Sequence, residues 1–117
     1  MSDIHLDHSV LSALRDVMED EFPVLLDTFL ADSTERLRQI QQARAASDCQ
    51  ALRLAAHSFK GSCSNMGAPV LAGLCKQLED IARREQLADA PGLIQQIEQE
   101  FLVVHDLLMQ ERRGPTR

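Results

Sequence analysis

The residues best placed to do chemistry lie close together: His57, Lys60 and Gly61 within DCQALRLAAHSFKGSCSNMG, and Glu79 further along the chain. A neutral imidazole keeps one ring nitrogen with a free lone pair, which makes it a nucleophile as well as a base. Lys60 follows His57 by about one helical turn and sets a mobile ammonium where an anionic group on the ring would sit. Gly61 lies on the same strip. A glycine inside a helix costs roughly 1 kcal/mol relative to alanine, so it calls for a reason. Here the missing side chain leaves the imidazole edge open to something bulky from solvent. The chemistry this suits is nucleophilic attack by an exposed imidazole, with a cation near any anionic group that comes to sit on the ring.

A helix must hold these groups in register. With about 100° per residue and His57 at zero, Leu52, Ala55, Phe59, Ser62, Cys63 and Met66 fall within about 60° of the opposite pole, an apolar and small-residue face. His57 is then central on the solvent side, with Arg53 and Ser64 on either side along the axis. Ser47-Asp48 caps this helix, and Gly67 supplies a left-handed stop. Beyond the stop, Pro69 opens a helix that folds back. Residues about ten before and ten after the turn therefore face one another, which brings Cys75, Lys76 and Glu79 opposite His57. Cys75 and Leu78 belong to the apolar stripe, leaving Glu79 at the edge nearest the ring. A carboxylate there would accept from one ring nitrogen, fix the tautomer and leave the other nitrogen nucleophilic.

The remaining elements are also helical. Asp7 caps a short first helix with Leu11, Leu14 and Met18 inward and Leu6 stapling its entry. A second begins near Asp20, tolerates Pro23 in its first turn, and repeats Phe22, Leu25, Leu26, Phe29, Leu30, Leu37 and Ile40 at threes and fours. The fourth carries Leu71, Leu74, Cys75, Leu78, Ile81 and Ala82. Asp89-Ala90-Pro91 opens the fifth, with Leu93, Ile94, Ile97, Phe101, Val104 and Leu108 inward. Four helices of roughly 18–25 residues, about 27–38 Å long, joined by short connections must run antiparallel. The fold class is all-α: an antiparallel up-down four-helix bundle with a short additional N-terminal helix across one end. Residues 1–117 read as one domain, with the first helix over about 7–18, the bundle over about 20–111 and a frayed tail over 112–117.

Composition narrows the functions. Twelve basic against eighteen acidic residues give a net charge of −6, with no Trp or Tyr, so nucleic acid is not expected as a partner. No apolar run is long enough to span a bilayer, and the polar start MSDIHLDHSV has no signal-peptide pattern. Cys49, Cys63 and Cys75 suit neither a disulfide framework nor a zinc site, and a reducing cytoplasm is expected. No metal site is expected either, because His5, His8, His57 and His105 show no paired ligand spacing beyond His5 and His8 near the start of the chain. No phosphate-binding loop is present, so the chain is not expected to use ATP or to act as an enzyme.

Each residue also has an ordinary explanation. An exposed helical His is usually only a surface residue, Lys60 and Ser64 are common solvent-side choices, and Glu79 has nearby partners in Lys76 and Arg83. Gly73 is expected to have a packing reason. A helical adaptor bundle is the plain alternative.

The combination resembles the signature of histidine phosphotransfer domains. It runs His57-Ser58-Phe59-Lys60-Gly61-Ser62, then Met66-Gly67-Ala68, then Leu71, Cys75, Leu78 and Glu79. The likeness spans the chain and is strongest over residues 52–82. The dimerising histidine domain of sensor kinases is a poorer match: Ser58, not an acidic residue, follows the His, and no Pro precedes Pro69. The resemblance implies that His57 accepts a phosphoryl group and relays it between aspartates of receiver domains. It further implies that Lys60 stabilises that group, Gly61 admits it, and Glu79 holds a position where the family often has Gln or Glu near the imidazole. Arg53, Leu54, Ser64 and Lys76 are then expected to line the docking surface. The partners implied are response-regulator receiver domains and hybrid sensor histidine kinases, with Mg²⁺ on the receiver, no cofactor on this chain, and a monomer.

Overall fold

In the computed structural model, which describes residues 4–113, helices begin where a capping residue or a proline stands. Helix α1 spans His8–Met18, and the Asp7 carboxylate accepts the Ser9 N–H at 3.0 Å. A 3-10 turn over Glu19–Glu21 leads into α2, Phe22–Ala45, with Pro23 in its first turn. The chain reverses through Ser47, whose φ is 53°, and Asp48 caps α3, Cys49–Met66, by accepting the Ala51 N–H at 3.0 Å. Such a cap stabilises a helix by about 1 kcal/mol. Helix α4 spans Pro69–Arg83; a 3-10 turn over Leu87–Asp89 then enters α5, Ala90–Arg112.

Gly67 ends α3 for two separate reasons. Its φ of 78° lies in the left-handed region, where the Ala68 N–H reaches the Cys63 carbonyl at 2.9 Å. A Cβ at this position would also come within 2.8 Å of Val10 Cβ in α1. The Gly67 carbonyl meanwhile accepts the Asp7 N–H at 2.7 Å. Helix α1 therefore packs on the end of the bundle where α3 turns into α4.

Helices α2 to α5 form a ring, with α3 packed on α2 and α4, and α5 on α4 and α2. The apolar stripes meet inside it. Phe22, Leu26, Ile40, Leu52, Phe59, Leu71, Leu78, Ile97 and Leu108 are fully enclosed, and Phe59 meets Phe101 edge-on at 6.4 Å. On α3 the buried set is Leu52, Ala55, Ala56, Phe59, Cys63 and Met66; Ser62 is half-buried, and its hydroxyl donates to the Ser58 carbonyl. No strand occurs among the described residues, and none of their helices is long and apolar enough to cross a membrane. The fold is an all-α bundle.

Three local expectations need correction. Helix α4 has 15 residues, shorter than the 18–25 expected, because residues 83–86 are all exposed and the chain turns through Glu85 at φ 58°. With no apolar residue to bury, another turn of helix gains nothing from the core. Arg112 belongs to α5 rather than to a frayed tail, and its guanidinium holds both Asp27 carboxylate oxygens at 2.7 and 2.8 Å. Arg113 follows as the cap of α5, and residues 114–117 of the expected tail lie outside the described residues. Gly73 is not a packing glycine: it faces outward on α4, and a Cβ there would meet nothing within 4 Å.

Candidate functional site

His57 stands mid-way along α3 with its side chain 62% exposed, while Glu79, across the hairpin on α4, has a side chain only 5% exposed. The two meet: His57 Nδ1 is 2.9 Å from Glu79 Oε2. A carboxylate can only accept, so Nδ1 carries the proton and donates it. In the neutral ring the proton-free nitrogen is then Nε2, on an imidazole that is largely in solvent. This leaves a nucleophile with its lone pair outward and its tautomer held from beneath.

Glu79 is not supported by the ring alone. Lys60 Nζ donates to its Oε1 at 2.8 Å, and Arg83 Nη2 donates to its Oε2 at 3.2 Å. Burial pushes the Glu79 carboxyl up, but the hydrogen bonds from Lys60 and His57 and the charges behind them outweigh it and hold the group below its ordinary value of 4.5. Arg83 also holds Asp80 at 3.0 Å, and Lys76 reaches the other Asp80 oxygen at 3.3 Å. Around His57 the three cations Lys60, Arg83 and Lys76 thus face two carboxylates, a local positive excess on a chain whose net charge is −6.

The other candidate residues fall at different distances from this centre. Gly61 is exposed, and a Cβ built there would meet nothing within 4 Å, so the flank of His57 is open. Lys60 is on Glu79 rather than free in solvent, with a side chain 28% exposed. Lys76 pairs with Asp80 and makes no bond to Glu79 or His57. Arg53 is half-buried, one turn before His57, beside a depression shared with Arg83 and Glu85; Ser64 is exposed. Leu54 is a large apolar side chain left 52% exposed. It lines an open groove between α2 and α3 with Arg36, Gln39 and Ser58, and Arg36 Nε donates to Ser58 Oγ at 3.0 Å. No group of three or more metal-ligating side chains occurs among the described residues.

A family model described as "Hpt domain" matches residues 24–107, which take in all but the first two residues of α2, all of α3 and α4, and most of α5. The chain belongs to the Hpt domain family. The crystal structure of histidine-containing phosphotransfer protein B from Pseudomonas aeruginosa PAO1 is similar to it at 58% identity, covering 98% of this chain and 100% of that one, with a TM-score of 0.93. A stretch of 43 residues, 37% of this chain, is 44% identical to the sensor protein TorS of Escherichia coli; the match takes in 5% of that protein's length.

Within this Hpt domain, Arg83 is the residue that inspection of spacing undervalued. Glu79 and Arg83 are four apart on one helix, which marks an ordinary ion pair. Nothing in that spacing tells that the same carboxylate is buried and already holds a ring nitrogen and a lysine.

Proposed function

We propose that this chain is a phosphoryl carrier in a two-component phosphorelay, and that His57 Nε2 is the atom that carries the group. The carrying observation is the 2.9 Å contact between His57 Nδ1 and a buried Glu79 carboxylate, which leaves the solvent-facing Nε2 unprotonated. In the transfer, the Nε2 lone pair attacks the phosphorus of an aspartyl phosphate while the P–O bond to the aspartate breaks. The aspartate leaves as a carboxylate, and the ring, now positive, keeps its Nδ1 proton against Glu79. The return step reverses each of these events.

The other residues take supporting roles. Lys60 turns from Glu79 towards the phosphoryl oxygens, where its charge offsets theirs once the partner has excluded water. Gly61 leaves the approach to Nε2 open. Arg53, Leu54, Ser64 and Lys76 form the docking surface around it. The donors and acceptors are receiver domains and hybrid sensor histidine kinases, and the receiver brings the Mg²⁺. The chain itself supplies a nucleophile on a rigid helix and holds no cofactor, so it acts as a carrier and not as an enzyme. It works as a monomer, and a cytoplasmic setting is in keeping with its three free cysteines.

Incubation with a phosphorylated receiver domain tests this. Acid-labile, base-stable label is expected on the wild-type chain and absent from His57→Gln. A wild-type chain that never takes label, together with a His57→Gln variant that passes signals equally well, would make the protein an adaptor.

A further inference from the structure

Glu79 presents a difficulty for any role of Lys60 at the phosphoryl group. Its side chain is 5% exposed, so the carboxylate has little water to fall back on. Lys60 holds Oε1 at 2.8 Å; if it leaves with nothing in its place, a buried charge stands uncompensated. A second cation is already present. Arg83 Nη2 is 3.2 Å from Oε2, the same oxygen that accepts the His57 ring proton, and its Nη1 is anchored 3.0 Å from Asp80. Arg83 reaches Glu79 from within α4, so its hold does not depend on what Lys60 on α3 is doing.

We infer that Arg83 is a positioning residue for His57: the cation that stays on Glu79 and so frees Lys60 to move to the phosphoryl group. This role rests on His57 being the phosphoryl acceptor. Lys60 and Arg83 are then interchangeable for one task and different for another. Either cation keeps Glu79 a carboxylate and therefore keeps the ring proton on Nδ1. Only Lys60 is placed to leave. Without Arg83, Lys60 is pinned to Glu79, because its departure would strand the buried charge. Without both, Glu79 takes a proton from solvent and donates it to Nδ1, which moves the ring proton to Nε2 and removes the nucleophile.

Two measurements on the full chain separate these states. The first is the imidazole ¹⁵N spectrum of unphosphorylated protein, at a pH where the ring is neutral. Lys60→Ala and Arg83→Ala should each keep the Nδ1–H tautomer, the Lys60→Ala/Arg83→Ala double variant should shift to Nε2–H, and Lys60→Ala/Arg83→Lys should restore Nδ1–H. The second is transfer from a phosphorylated receiver domain, where Arg83→Ala should be slower by on the order of tenfold or less, the size expected when one charge pair is lost, with Arg83→Lys recovering most of it. The tautomer measurement needs no phosphoryl group. A wild type that takes no label would overturn the carrier function, whereas the Arg83 role is overturned by a double variant that keeps Nδ1–H or by Arg83→Ala transferring at the wild-type rate.

Discussion

Glu79 Oε2 lies 2.9 Å from His57 Nδ1, and it joins the most enclosed carboxylate on the α3–α4 face to an imidazole that is mostly in solvent. The pairing gives one residue rigidity and the other access. Removing the partner should therefore change the ring more than the bundle.

Replacing Glu79 with Gln keeps an amide oxygen able to accept from Nδ1, so labelling should persist at a reduced rate. Glu79→Leu offers no acceptor and should slow transfer further. Both leave Lys60 and Arg83 without their shared anion, but Lys60 is partly in solvent and Arg83 keeps Asp80, so the stability loss should be no more than about 1 kcal/mol. Labelling rates and thermal melts on the same proteins check this; equal rates for Leu and wild type would remove Glu79 from the site.

Acid should weaken the fold partly through this carboxyl. Its value in the folded chain is below the ordinary 4.5, so its stabilising contribution is fully present above that pH and fades as pH falls through the lower, folded value. Urea midpoints measured from neutral pH downward should drop in that acidic window. In Glu79→Gln the drop should be shallower, since the group no longer titrates.

Glycine replacements separate access from packing at three positions. Gly61→Ala and Gly73→Ala each place a Cβ in open space and should stabilise the helix by up to about 1 kcal/mol. Gly61→Gln should obstruct transfer, while Gly73→Ala should leave it unchanged. Gly67→Ala meets Val10 at 2.8 Å and takes a left-handed φ, so it should destabilise by roughly 1–3 kcal/mol. Melts and transfer rates together decide it: stability and transfer falling in step at position 61 would make Gly61 a packing residue.

Lys60→Ala should slow transfer while lowering stability by no more than about 1 kcal/mol, because Arg83 stays on Glu79. Thermal melts alongside transfer rates test both halves. A large stability loss with normal transfer would make Lys60 structural.

Much of this arrangement was legible in residue order. Asp7, Asp48, Gly67 and Pro69 each act through local backbone chemistry, so the starts and the stop of the helices follow from them. The facing of His57 and Glu79 follows from counting about ten residues either side of Gly67 and setting aside Cys75 and Leu78, which belong to the apolar stripe. What resisted reading depends on three-dimensional competition. Lys60 at i+3 from His57 has the same spacing whether its ammonium waits in solvent or, as here, holds a carboxylate on the next helix. Arg112 is held by Asp27, 85 positions away, and no local pattern foretells that bond. Gly73 shows the same limit: only the neighbours of its missing Cβ tell that the space is empty.

The most direct test of the central claim is the site of attachment on the ring. A ³¹P–¹⁵N correlation spectrum of the chain labelled by a phosphorylated receiver domain should show phosphorus bound to His57 Nε2. The His57→Gln chain should show no such bond while its circular dichroism stays helical. Phosphorus on Nδ1 of His57, or on His5, His8 or His105, would contradict the account.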